Sequence, residues 1–173
     1  MIAIGVDIGI HRIAMAVPEA GWYGQIDLAG AYIGRRDTEL RELQRWVRTR
    51  VMTRGVTPVA FIERPFLSGS AANPTTTIGM AETVGIIRAS VIWTAPSTMV
   101  NPSSWKKALV GKGNATKEEA RYWLEDTIGK EKVDSMSEDE VDAMCIGYYG
   151  QGVIDGEISL PQPAAKKRRK RAG

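Results

Sequence analysis

"PVAFIERPF", residues 58–66, is the stretch on which the reading of this chain turns. Val59 to Ile62 are apolar without alternation, the pattern of a strand covered on both faces. The run stops in Glu63, with Arg64 and Pro65 directly behind it. Carboxylates are almost never fully buried unless they are paired or bind a metal. Glu63 therefore stands either at a solvated strand end or in a metal site, and one acid does not choose between the two.

Upstream, residues 2–8 ("IAIGVDI") and 12–17 ("RIAMAV") read as strands joined through a tight connection at Gly9. A third strand is expected over 25–34. Such short links favour an antiparallel meander. Residues 37–55 change period: Leu40, Leu43, Val47 and Val51 share one helical face, and Arg41, Arg45 and Arg48 another. Asp37 or Thr38 can cap that helix and Gly55 can end it. The strand of Val56 to Ile62 then comes fourth and central. After the Ser/Gly/Asn/Pro-rich residues 67–77, "IGMAETVGIIRASVIW" suggests a helix running into a last strand near Val91. "NPSSWKKALVGKGNATK", residues 101–117, reads as a loop, and helices are expected at 115–128 and 138–149. The order predicts an α/β fold, a mixed five-stranded sheet flanked by helices in the arrangement of the RNase H fold.

The bulk properties restrict the setting. A chain of 173 residues suits one domain with a proper core. No apolar run approaches the roughly 20 residues that span a bilayer, and "MIAIGVDIG" lacks the basic segment of a secretory signal. The lone Cys145 rules out an internal disulfide and fits a reducing compartment, so a cytoplasmic protein without a membrane partner is expected. The net charge of +3 conceals an asymmetry: "KKRRKR" (166–171) supplies six positive charges, and the remainder carries 17 basic against 20 acidic residues. Residues 1–158 are thus read as the domain and 159–173 as a flexible basic tail. Such a tail is attracted to nucleic acid, although a solubilising or localisation role is open to it as well.

Asp7 closes the first strand in "GVDIG" as Glu63 closes the fourth. If those strands are parallel neighbours, the two acids meet at one sheet edge, where ligands of open α/β sheets bind. Gly9 would let backbone and ligand approach closely. In "SEDEVDAMCIG" (137–147), Asp139 and Asp142 lie three apart, on one helical face. Ser137 and Glu140 fit a capping box. Glu138 and Glu140 read as ordinary first-turn acids favoured by the helix dipole, whereas Asp142 precedes a small apolar run and needs a cation or water. Gathered carboxylates repel one another unless a counter-charge is present. An all-oxygen set suits Mg²⁺ or Mn²⁺ and not zinc, and His11 reads as a surface turn residue. Two ions about 3.5–4 Å apart activate water and stabilise the leaving oxygen of a phosphodiester.

Together, Asp7 in "GVDIG", Glu63 in "FIERPF", the loop "WKKALVGKGNATKEEA" and the acids of "DEVDAMCIG" resemble RuvC-type Holliday-junction resolvases, over residues 1 to about 150. The resemblance implies a homodimer that makes paired Mg²⁺-dependent nicks in branched DNA, above all four-way junctions. Asp7, Glu63, Asp139 and Asp142 then match the four metal-binding acids, with Glu138 an alternative to Asp139. Lys106 and Lys117 match lysines near the scissile phosphate, Lys107 competes with Lys106, and Lys112 is placed for a phosphate contact. Phe66 matches an aromatic presented at the crossover, where it can stack on a base; burial in the core is its other reading. The chain departs from the pattern in the bulky Ile8 and Ile10 around Gly9 and in Arg64 and Pro65 between Glu63 and Phe66, the marks of a divergent, phage-type member. The expected setting is accordingly a bacterial or phage-infected cell. The rivals are an RNase H-fold nuclease for other branched DNA or RNA, and a non-catalytic nucleic-acid-binding relative. "VDIGIHRIAMAV" also resembles the first phosphate loop of actin-like ATPases, but these need two such domains, and no nucleotide cofactor is expected.

Overall fold

The computed structural model describes residues 1–9, 12–27, 55–64 and 95–160, together with the helical residues Arg45, Thr49, Ala81, Val84 and Gly85. Five strands form one sheet: β1 (Ile2–Ile8), β2 (Arg12–Val17), β3 (Trp22–Asp27), β4 (Pro58–Glu63) and β5 (Ser97–Val100). Their spatial order is β3-β2-β1-β4-β5. The first three make the expected antiparallel meander. β4 lies parallel to β1, with Val6 beside Ile62, and β5 lies parallel to β4. Four helices follow: α1 (Pro102–Val110), α2 (Lys117–Ile128), α3 (Lys130–Asp134) and α4 (Glu138–Ile154).

Side-chain alternation along β1 assigns the two faces of the sheet. Ile2, Ile4, Val6 and Ile8 join Ile13, Met15, Val17, Ala60 and Ile62 in one core cluster. Ala3 joins Ala14, Ala16 and Phe61 in the other, with Trp105 and the buried side of α4. β4 is therefore sandwiched between two cores, which is why its sequence does not alternate. On β1 and β2 the α4 face is lined with small residues and the opposite face with large ones, so α4 can settle very close. A Cβ added at Gly5 would stand 1.9 Å from the Ala143 carbonyl oxygen and 2.3 Å from the Gly147 nitrogen. One added at Gly150 would meet the Phe61 ring at 2.3 Å.

Several boundaries differ from expectation. β3 starts at Trp22, three residues before the expected start, because Trp22 pairs with Val17 directly after a three-residue 3-10 turn, Pro18–Ala20; residues 28–34 lie outside the described set. The strand that pairs with β4 is Ser97–Val100, which the sequence pattern did not single out; the segment expected as a strand near Val91 lies outside the described residues. The expected loop at 101–117 holds helix α1, started by Pro102 at a position where a missing N–H costs nothing. Its fully buried Trp105 anchors it to the core. α4 extends to Ile154, beyond the expected 149. Gly9 serves the turn: its N–H donates to the Arg12 carbonyl at 2.8 Å, and a Cβ there would crowd that oxygen. No helix among the described residues is long and apolar enough to cross a membrane.

Replacing Gly5 by Ala drives a methyl group into backbone that no rotamer change relieves. The expected loss is above about 3 kcal/mol, read as a fall in denaturation midpoint. Gly150→Ala should cost less, because the Phe61 ring can shift.

Candidate active site

The alternation that sends Ala3 and Gly5 toward α4 sends Asp7 the same way, and Phe61 carries Glu63 with it. Asp7 and Glu63 each stand one residue beyond the Val6–Ile62 pair, side by side at the C-terminal edge of adjacent parallel strands. Their carboxyls are hydrogen-bonded to each other. From above comes the first part of α4. Ser137 caps it, accepting from the Glu140 N–H at 3.3 Å while Glu140 accepts from the Ser137 N–H at 2.8 Å, the expected capping box. The Ser137 hydroxyl also donates to Gln25 on β3 at 3.1 Å, tying the helix start to the sheet. Asp142, one turn in, is buried and faces Asp7 and Glu63. Asp139 lies nearer the surface, in electrostatic reach of Asp7 and 3.8 Å from the Arg12 guanidinium.

Burial and mutual repulsion make these acids reluctant to ionise. Burial first, then Glu63, pushes Asp7 up to about 8. Burial first, then Asp7, pushes Asp142 up to about 6. Glu63 is also raised by burial, against hydrogen bonds from Asp7 and from the Trp105 indole, whose Nε1 lies 3.2 Å from Oε1. At neutral pH the Asp7–Glu63 pair accordingly holds a proton, and that proton offsets the charge a divalent cation would offset.

Both expected lysines face this cluster. Lys106 acts on Glu63 and Asp142 while its ammonium donates to the Ala115 carbonyl at 2.9 Å. Lys117, the first residue of α2, acts on Asp7 and Asp142 and bonds Glu138 at 2.9 Å. A small cleft beside Asp142 is lined by Lys117, Glu118, Arg121, Glu138 and Val141. Glu138 is well exposed and pairs with that lysine, whereas Asp139 faces the acids. Lys107 is exposed on α1, and Lys112 is exposed and ion-paired with Glu119. Phe66 and His11 lie outside the described residues.

Two residues went unassigned in the sequence. Arg12 bridges Asp27, at 2.9 Å, and Asp139; its adjacency to the Gly9 turn was the available signal. Trp105 touches Glu63 and carries the Lys106 ammonium 5.3 Å from its ring centre. The four-residue spacing of Trp105 and Leu109 behind Pro102 marks the helix that puts it there.

Among the described residues, no three metal-ligating side chains are gathered tightly enough to hold an ion as they stand. The donor set nevertheless fits a hard cation. It is all carboxylate, and the described thiol is buried and directed at the Ala120 carbonyl. Burial first, and the mutual repulsion of the acids second, keep Asp7 and Asp142 from ionising readily.

The sign of the resulting linkage is set by the folded state binding more protons than the unfolded one wherever a folded value is raised. Asp7 and Asp142 therefore contribute stability that is complete below about pH 4 and is lost as pH rises through about 6 and then about 8. In chelator-treated protein, Asp142→Asn should raise stability at pH 8 by about 1–3 kcal/mol, several degrees in melting temperature. A fall would mean that Asp142 is a structural acid.

No protein-family model and no curated protein matches the chain. Among solved structures, the Thermus thermophilus RuvC structure matches with a TM-score of 0.69 at 14% sequence identity, covering 92% of this chain and 99% of that one. T. thermophilus RuvC in complex with Holliday junction substrate matches with the same figures. The likeness is one of fold: this mixed five-stranded sheet with its flanking helices is the RNase H-like architecture of the RuvC structures.

Proposed function

We propose that this chain is a structure-selective DNA endonuclease that resolves four-way junctions by paired Mg²⁺-dependent nicks, leaving 5′-phosphate and 3′-hydroxyl ends. The observation that carries the reading is the convergence of Asp7, Glu63, Asp139 and Asp142, from three separated segments, at one sheet edge faced by Lys106 and Lys117. The shared fold adds support, and one matching structure contains Holliday junction substrate.

In this reading Asp7, Glu63, Asp139 and Asp142 hold Mg²⁺, two ions per site, with Mn²⁺ able to substitute. Bound there, the ions supply an activated water and charge stabilisation at the leaving oxygen. The chain's own groups do the rest. Asp7 gives up the proton it shares with Glu63 when the site is loaded. Lys106, fixed by the Ala115 carbonyl, holds its ammonium beside the acids, where it steadies negative charge developing on the phosphate. Lys117 is held by Glu138 in an exposed, solvent-screened pair, so a backbone phosphate can take over its ammonium at small cost. Lys107, Lys112 and the basic tail bind backbone phosphates, and Phe66 offers a stacking face to an unpaired base. Since a four-way junction has approximate two-fold symmetry, a homodimer sets one site on each of two opposed strands. The small-residue segment 78–90 is the proposed contact between subunits; most of it lies outside the described residues.

Synthetic four-way junctions, forks, linear duplex and RNA–DNA hybrid incubated with Mg²⁺ test the proposal. Paired nicks confined to junctions support it, and cutting of hybrid alone would favour an RNase H-type substrate. Asp7→Asn should lower nicking at least about 100-fold with metal-free junction binding retained; equal loss of both would remove the catalytic reading. Deleting residues 164–173 should reduce the dependence of log affinity on log salt by about 0.9 for each phosphate that the tail neutralises. An unchanged slope would take the tail out of the interface.

A further inference from the structure

We propose that Trp105 is a positioning residue for Glu63: its indole N–H fixes the carboxylate that closes β4, and Lys106 and the Ala115 carbonyl fix the indole in turn. The inference rests on the nuclease reading for its catalytic consequence, and on geometry alone for its structural part.

Trp105 is 0% exposed. An indole in that setting needs an acceptor for its single polar hydrogen. A carbonyl of the neighbouring backbone would serve packing equally well. The acceptor here is Oε1 of Glu63, 42 residues away in the chain, at 3.2 Å. An Nε1–H donor on a packed ring has little freedom to follow a wandering carboxylate, so the bond holds Glu63 to one place.

The ring itself is restrained from two directions. The core of Leu124, Met144 and Val100 belongs to the same packed cluster as Trp105. The Lys106 ammonium stands 5.3 Å from the ring centre, within reach of a cation–π attraction, and donates to the Ala115 carbonyl at 2.9 Å. Ala115 closes the 111–116 connection just before the Thr116 cap of α2, the helix that begins with Lys117. One short array thus links the strand-end acid, the buried indole and both site lysines. Partners that orient metal ligands in this way typically contribute 10–100-fold in affinity or activity.

The test is Trp105→Phe, which keeps a ring in the core and removes the N–H. Indole-¹⁵N labelling gives five tryptophan resonances, of which those of Trp22 and Trp123 serve as internal references; the one missing in Trp105→Phe is that of Trp105. It should shift in a Glu63→Ala protein and on Mg²⁺ addition, while the references stay in place. Calorimetry should show Mg²⁺ binding to Trp105→Phe weakened about tenfold or more, with the metal-free junction affinity close to wild type and the metal-free melting temperature lowered by the smaller ring and the lost hydrogen bond. A Trp105 resonance indifferent to Glu63→Ala, or wild-type Mg²⁺ affinity in Trp105→Phe, overturns the proposal. If instead the resonance responds to Glu63→Ala but the wild-type protein neither binds Mg²⁺ nor nicks junctions, the positioning contact stands and the nuclease reading falls.

Discussion

Helix α4 rests on the sheet at a distance that leaves no room for a methyl group on Gly5. That contact depends on a column of small side chains, Ala3, Gly5, Ala14 and Ala16, on one face only of two adjacent strands. Because the approach is backbone to backbone, it fixes the helix in depth as well as in direction. The first turns of α4 are thereby held over the ends of β1 and β4, and Asp142 is pressed into a space already holding Asp7 and Glu63. The opposite face, with Ile2, Ile4, Val6 and Ile8, supplies ordinary apolar burial and makes no such demand.

The cost of this arrangement is electrostatic. Acids that ionise freely in water are held half in the protein and close together, and each makes the next harder to ionise. The protein offsets part of the repulsion with a proton on the Asp7–Glu63 pair, part with the ammonium groups of Lys106 and Lys117, and part with the Arg12 guanidinium near Asp139. A fold selected for stability alone has no need of such a cluster, since apolar packing often replaces buried charge without loss. Its presence at the strand ends of an RNase H-like sheet is what gives the nuclease reading its physical weight.

Much of this was legible in the chain itself. The unalternating "VAFI" announced a strand between two cores, and the strand order placed β1 beside β4, so the meeting of Asp7 and Glu63 followed from period and topology. The Ser137–Glu140 box located the start of α4 to the residue. What escaped detection had identifiable reasons. α1 was hidden because polar and small residues surround its one anchoring indole, so a nine-residue helix looked like a loop. Trp105 and Arg12 act through contacts made across 42 and 127 positions of sequence, which no local pattern encodes. The strand Ser97–Val100 went unassigned because "STMV" carries little apolar signal of its own, and its pairing with β4 is a tertiary fact.

In the nuclease reading these carboxylates form a cation site whose charge is balanced by a proton when no cation is bound. Calorimetric titration of Mg²⁺ into chelator-treated protein at pH 7, in two buffers of different ionisation enthalpy, measures that exchange directly. Binding should be accompanied by release of about one proton, with the release abolished in Asp7→Asn. Absence of Mg²⁺ binding, or binding with no proton released, would contradict it.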